Sequence, residues 1–234
     1  QWLKGLELAR NDLIWIAETD DSADPEFLAR LVPYLARGDI AGAFGHIRCI
    51  DEKGEILPDL DGYFDNLLNF SWDVAGVVPA YRAFKRDFVL RNVVPNASGF
   101  VFRKPHLAEL ERERLMQYRF AGGWYFYALL LRGGCVAYEP EAKSYFRLNR
   151  SGTSRSAFFT DRHLEEHRMV LQDLASEYRV GDAAIRAHVE MLLGHFPERE
   201  GGDLLMRLAP ARTREPPLRV CIAAHSFEVG GGEI

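Results

Sequence analysis

A run of five apolar residues, Leu13-Ile14-Trp15-Ile16-Ala17, ends abruptly in Glu18-Thr19-Asp20-Asp21. A continuous apolar run of this length predicts a strand buried on both faces, the central-strand pattern of a parallel sheet. Three carboxylates in four residues then stand at its C-terminal end, the edge of an open α/β sheet where ligands bind. Like charges repel, so a fold tolerates such a cluster best where a cation joins it. Taken alone, the cluster reads equally as a divalent-metal site and as a solvated turn whose acids favour the helix starting near Pro25.

The pattern around this junction is that of an α/β protein. Residues 2 to 10 end a helix with Trp2, Leu3, Leu6 and Ala9 on one side. Asp24-Pro25 starts another, whose face is Phe27, Leu28, Leu31, Val32 and Leu35, and Gly38 stops it. Residues 40 to 50 predict a strand, 51 to 54 a turn, and 97 to 102 a further strand. Pro105 opens a helix. Trp124 to Leu131 predicts an apolar helix closed by Gly133-Gly134, followed by short strands near 135 to 138 and 142 to 147. Helical periodicity returns from 159 to 194. Residues 197 to 217 read as a linker, and Leu218 to Ala224 as a new buried strand leading into Gly230-Gly231-Gly232.

Composition narrows the function classes. A net charge of −5 and a pI near 5.8 argue against broad binding to nucleic acid. Cys49, Cys135 and Cys221 are few and far apart, which suggests neither a zinc site nor a disulfide framework and fits a reducing cytoplasm. No apolar stretch approaches the ~20 residues that span a bilayer.

Three further segments carry chemistry. Asn92-Val93-Val94-Pro95-Asn96-Ala97-Ser98-Gly99 puts small residues before a strand, where a ligand can approach the backbone; alone it reads as an ordinary turn. Ala121-Gly122-Gly123-Trp124-Tyr125-Phe126-Tyr127 offers aromatic stacking surface, or simply core. Ser144-Tyr145-Phe146-Arg147-Leu148-Asn149 sets arginine beside polar groups, a pattern that suits a diphosphate. Arg82, Lys85, Arg86 and Arg91 have helical spacing in part and read best as a solvated face, with an anionic acceptor or a membrane surface as the alternative.

In this order, the four segments resemble a family 2 glycosyltransferase of the GT-A fold over residues 1 to 155. The resemblance implies a Rossmann-like, mixed but mostly parallel sheet flanked by helices; beyond it, the helical periodicity marks a helical extension at 156 to 196. It implies transfer of a sugar from a nucleotide-diphosphate donor to a saccharide or lipid-linked acceptor, inverting and dependent on Mg²⁺ or Mn²⁺. Similar proteins are bacterial and build cell-surface polysaccharides in the cytoplasm or at the inner face of the membrane. Residue by residue, Glu18-Thr19-Asp20 falls on the Asp-x-Asp motif, with Asp20 and Glu18 as metal ligands and Asp21 beside them at the donor. Arg147 and Asn149 fall on donor contacts, and Asn96, Ser98 and Trp124 on the wall of the sugar and acceptor site.

Two positions depart from the family. Gly123 stands where the family carries an aspartate, the base that deprotonates the acceptor hydroxyl, leaving Glu139 and Glu141 as unranked substitutes. Asn149 stands near a usual histidine and is a poor metal ligand. The family's opening βαβ segment would precede Gln1, so an N-terminally incomplete domain is expected. Residues 218 to 234 resemble the first strand and glycine loop of a family 4-like GT-B transferase, implying a tandem partner domain. The alternative is a degenerate module that binds sugar nucleotide or glycan, or scaffolds the partner. A metal-dependent phosphohydrolase is a third class, disfavoured because no further histidine or carboxylate cluster of the usual kind is present.

Overall fold

A computed structural model describes residues 1–57, 74–94, 96–148 and 160–193. Asn149, the linker at 197 to 217 and the glycine-rich tail at 218 to 234 lie outside the described residues.

Two long strands form the centre. Strand β3 (Ile40–Ile50) is followed by β4 (Gly76–Pro79), β5 (Phe100–Arg103) and β6 (Cys135–Arg147); β1 (Leu13–Trp15) and β2 (Ser22–Ala23) precede them. The sheet order is β1-β5-β3-β6-β2, with β4 also on β6. The expected mixed α/β sheet flanked by helices is present. Its pairings differ from the expected parallel majority: β3–β6 is parallel, while β1–β5, β3–β5, β2–β6 and β4–β6 are antiparallel.

Strand β1 corrects the reading of a central strand. It pairs only with β5 among the described residues and lies at the end of the sheet order. Ile14 packs against one apolar cluster and Leu13 against the other, while Trp15 remains 36% exposed. An apolar run reports that both faces of a strand are covered; it is silent on whether both lateral edges are paired.

The two short strands expected near 135 to 138 and 142 to 147 are one bent strand. Gly45 pairs with Glu139 but His46 pairs with Lys143, so Pro140, Glu141 and Ala142 bulge out of the ladder. The bulge re-aims the second half of β6 toward β2, which pairs with Ser144 and Tyr145.

Helices α1 (Trp2–Leu8), α2 (Phe27–Leu31), α3 (Ala80–Ala83), α4 (Arg112–Leu115) and α5 (Gly122–Leu130) surround the sheet. Helix α2 tightens into a 3₁₀ turn over Val32–Ala36, and α3 widens into a π turn over Phe84–Phe88. Helix α5 is apolar all round and buried from Trp124 to Leu130, as such a sequence requires. The extension comprises α6 (Asp161–Tyr178) and α7 (Asp182–Leu193). The Thr160 hydroxyl accepts from His163 N at 3.2 Å and caps α6. Arg179, in the left-handed region at φ 51°, ends it. No helix among the described residues is long and apolar enough to cross a membrane.

Candidate functional site

The acid turn joins β1 to β2, and three separate stretches of chain converge on it. Asp21 is the junction. One of its carboxylate oxygens accepts from Asn96 Nδ2 at 2.7 Å and the other from the backbone N–H of Arg147 at 3.0 Å. Ser98 Oγ accepts from the backbone N–H of Glu18 at 3.0 Å, and the Ser98 carbonyl accepts from Trp15 Nε1 at 2.8 Å. Asn96 and Ser98 are 3% and 2% exposed, so these bonds form away from water, where they hold position most firmly. Asn96 Oδ1 is also buried and has no partner among the described residues. A buried acceptor left open beside a carboxylate is the kind of group that a ligand hydroxyl satisfies.

Arg147 locks the turn from outside. Its Nε donates to the Asp20 carbonyl at 2.8 Å, and its Nη1 to the carbonyls of Asp51 (2.8 Å) and Glu52 (3.2 Å). Arg147 therefore joins the acid turn to the turn at 51 to 54. Its guanidinium lies at the acid cluster, and these three bonds run to protein carbonyls.

The three acids occupy different surroundings. Asp20 is exposed at the tip of the turn, and Asp21 is held by the bonds above. Glu18 is half-buried, and burial raises its carboxyl above the usual carboxylate range, helped by the charges of Asp21 and Asp20 and opposed by a hydrogen bond from Trp2. No group of three His, Cys, Asp or Glu side chains among the described residues is arranged to hold a metal by itself. The donor set fits a cation that arrives with a phosphorylated ligand. Mg²⁺ is commonly held by one or two carboxylates while substrate phosphates and water complete its shell.

Trp2 links the turn to α5. Besides its bond to Glu18, its indole lies in front of Gly123: a Cβ at that position would stand 3.1 Å from Trp2 Cη2 and 3.4 Å from Cζ3. The space beside the expected base position is thus filled by an aromatic ring, which also packs edge-on to Phe126 at 5.6 Å. In a double-mutant cycle, Gly123→Ala and Trp2→Ala are expected to couple by about 1 kcal/mol, because the added methyl is crowded only when the indole is present. Thermal melts of the four proteins check this, and additive effects would rule it out.

The other site candidates lie as follows. Trp124 is 3% exposed and donates its indole N–H to the Phe88 carbonyl at 2.7 Å, so the structure places it in the core rather than on an open wall. Glu139 accepts from Tyr34 Oη at 2.8 Å, and burial together with this bond pushes the phenol up to about 12. Sequence reasoning missed Trp2, which carried no signal beyond an apolar helix position. It also missed Glu166. That carboxylate, fully buried on α6, accepts from the backbone N–H groups of Arg119, Phe120 and Ala121 at 2.8–2.9 Å and from Arg162 Nε at 2.8 Å. It thereby fixes the entry to α5, where Gly123 sits.

Residues 1–93 match the family model described as Glycosyl transferase family 2. The match takes in α1, the acid turn and β3 and ends before Asn96, Ser98, Trp124 and Arg147. No curated protein matches the chain at a significant level.

Proposed function

We propose that this chain binds a nucleotide-diphosphate sugar at the Glu18–Asp21 turn and transfers the sugar to a saccharide or lipid-linked acceptor. The observation that carries this reading is the convergence on Asp21. A single carboxylate ties the turn to Asn96 and to Arg147, so three segments that are weak signals apart form one wall. The family match over residues 1–93 supplies the reaction class.

The protein groups then divide the work. Asp20, exposed at the tip, meets the donor diphosphate through a divalent cation, Mg²⁺ or Mn²⁺, which neutralises charge growing on the leaving phosphate. Asp21 orients the Asn96 amide, whose Oδ1 accepts a hydrogen bond from a ligand hydroxyl. Ser98 and Trp15 fix the backbone at the end of β1, so the turn is held before the ligand arrives. Glu18, with its carboxyl raised by burial, faces inward at Trp2.

Nucleoside-diphosphate release from a panel of sugar nucleotides, with and without Mn²⁺ and saccharide acceptors, tests the reading. Asp20→Asn is expected to lower Mn²⁺-dependent release by a factor of about 10² or more. Unchanged release would remove Asp20 from the site. A second reading, a module that binds sugar nucleotide without turning it over, is favoured by one observation: Gly123 supplies no base and Trp2 fills the space beside it. Mn²⁺-dependent donor binding in calorimetry with no release under any acceptor would favour this reading over the first.

A further inference from the structure

Three histidines in the helical extension form a continuous chain of ring nitrogens. His163 Nε2 lies 2.6 Å from His167 Nε2, His167 Nδ1 lies 2.9 Å from His188 Nε2, and His188 Nδ1 lies 2.9 Å from the carbonyl oxygen of Val89. The first two stand at i and i+4 on α6, on one face of the helix; the third comes from α7. His163 is 7% and His188 0% exposed.

A shared metal is the first alternative, and the distances exclude it as the structure stands. Two bonds of ~2.05 Å at a tetrahedral angle hold their nitrogens ~3.3 Å apart. The His163–His167 pair is closer than that, and no three-ligand group exists among the described residues. A proton fits such gaps.

The proton positions follow from the far end. A carbonyl can only accept, so His188 carries its proton on Nδ1 and donates to Val89. In the neutral ring Nε2 then accepts, and His167 Nδ1–H must supply the proton. His167 Nε2 accepts in turn from His163 Nε2–H. One proton per gap satisfies every bond. A gap holds one proton only: a second proton placed in either gap sets two N–H groups face to face at 2.6 or 2.9 Å, and the chain opens.

What the chain holds is the buried end of the α3 and π-turn segment. The last carbonyls of a helix lack intrahelical donors. Here the Phe88 carbonyl accepts from Trp124 on α5 and the Val89 carbonyl from His188 on α7. Val89 lies seven residues before Asn96, the residue that grips Asp21.

We propose that His163, His167 and His188 form a proton-operated latch: with one proton in each gap it ties the helical extension to Val89, and a second proton in either gap releases that tie. Several charged groups surround it. Arg91 on the Val89 segment and His163 on α6 both oppose a charge on His188. Asp87, two residues before Val89, is buried. Glu166, beside His167 in sequence, is committed to residues 119–121 and Arg162. Arg186 and Glu190 on α7 are exposed. Burial holds His188 down to about 4, below its ordinary 6.5, despite the Val89 and Leu90 backbone bonds that favour its charge. The unfolded chain therefore takes up more protons than the folded one between these values. His188, the end of the latch that holds Val89, gains its charge only as pH falls toward 4.

The latch carries its own reporter, since the Trp124 ring lies 5.6 Å from His167 and 5.8 Å from His188. Protonated imidazole quenches indole emission more strongly than the neutral ring. In the wild-type protein, acidification from pH 7.5 to 4 is expected to quench the emission contributed by Trp124, identified by its loss in Trp124→Phe. His167→Gln, which interrupts the chain and leaves His188 to titrate without it, is expected to shift the midpoint of that titration. Long-range ¹H–¹⁵N spectra of the wild-type protein at pH 7 give a test independent of any variant, and should place the His188 proton on Nδ1. A His188 proton on Nε2, or a Trp124 titration identical in wild type and His167→Gln, would overturn the proposal.

Discussion

Gly45→Ala is expected to destabilise the protein by more than 4 kcal/mol, enough to deplete the folded form. Its Cβ would stand 1.9 Å from the Ala142 carbonyl oxygen and 2.9 Å from the carbonyl carbon. Both are backbone atoms of the β6 bulge, so no side chain can turn aside to relieve the clash. Strands β3 and β6 would have to separate where their register shifts, between Gly45–Glu139 and His46–Lys143. The damage passes directly to the acid turn, because the residues beyond the bulge pair with β2 and bring Arg147 to Asp21. Gly76 on β4 is the control: a Cβ there meets nothing within 4 Å among the described residues, so Gly76→Ala is expected to stay within about 1 kcal/mol of wild type. Urea unfolding followed by circular dichroism separates the two. A Gly45→Ala protein as stable as Gly76→Ala would mean that the bulge is not packed as described.

Glu166→Ala is expected to cost about 3–5 kcal/mol. The substitution strands three consecutive backbone N–H groups, those of Arg119, Phe120 and Ala121, and removes the Arg162 Nε bond, while Arg162 keeps its bond to the Gln117 carbonyl. Burial by itself opposes ionisation of Glu166, but the three backbone donors and Arg162 outweigh it and hold the carboxyl below its ordinary 4.5. A depressed folded value means the stabilisation is complete above pH 4.5 and is lost as pH falls through the folded value. Glu166→Gln keeps one acceptor oxygen, so it should retain part of the stability at pH 7 while losing that acid limb. Thermal melts from pH 7 to 3 measure both effects. An acid limb identical in wild type and Glu166→Gln would assign it to other carboxylates.

These two positions also mark where sequence reading reached and where it stopped. Strand β3 was legible to its ends because a long apolar stretch is bounded by Gly38 and by the Asp51 turn, and the structure has it at Ile40–Ile50. Helix α5 was legible because no polar residue interrupts Trp124–Leu130. The sheet position of β1 was not, since Leu13 and Ile14 are packed on opposite faces of a strand at the sheet edge. The bulge in β6 was read as a break between two strands, because Pro140 and two neighbours leave the ladder while the strand continues. At the site, the chemistry-bearing segments could be named singly, but Asp21 as their junction depends on a hydrogen bond across 126 residues, which no local pattern encodes. Glu166, His163 and His167 sit in one ordinary amphipathic helix and His188 in the next, and only tertiary packing turns them inward.

The long bent strand has a consequence for the order in which the protein forms. Both β2 and β4 find their ladders on β6, and among the described residues they have no other strand partner. During synthesis, residues 1–134 emerge with β3 paired to β5 alone and with the acid turn lacking its Arg147 tie. Contacts between segments so far apart in sequence close late and slowly. A nascent chain halted before β6 therefore carries α1 to α5 and an acid turn that Asn96 and Ser98 hold without Arg147, and β6, the last strand among the described residues, completes the site.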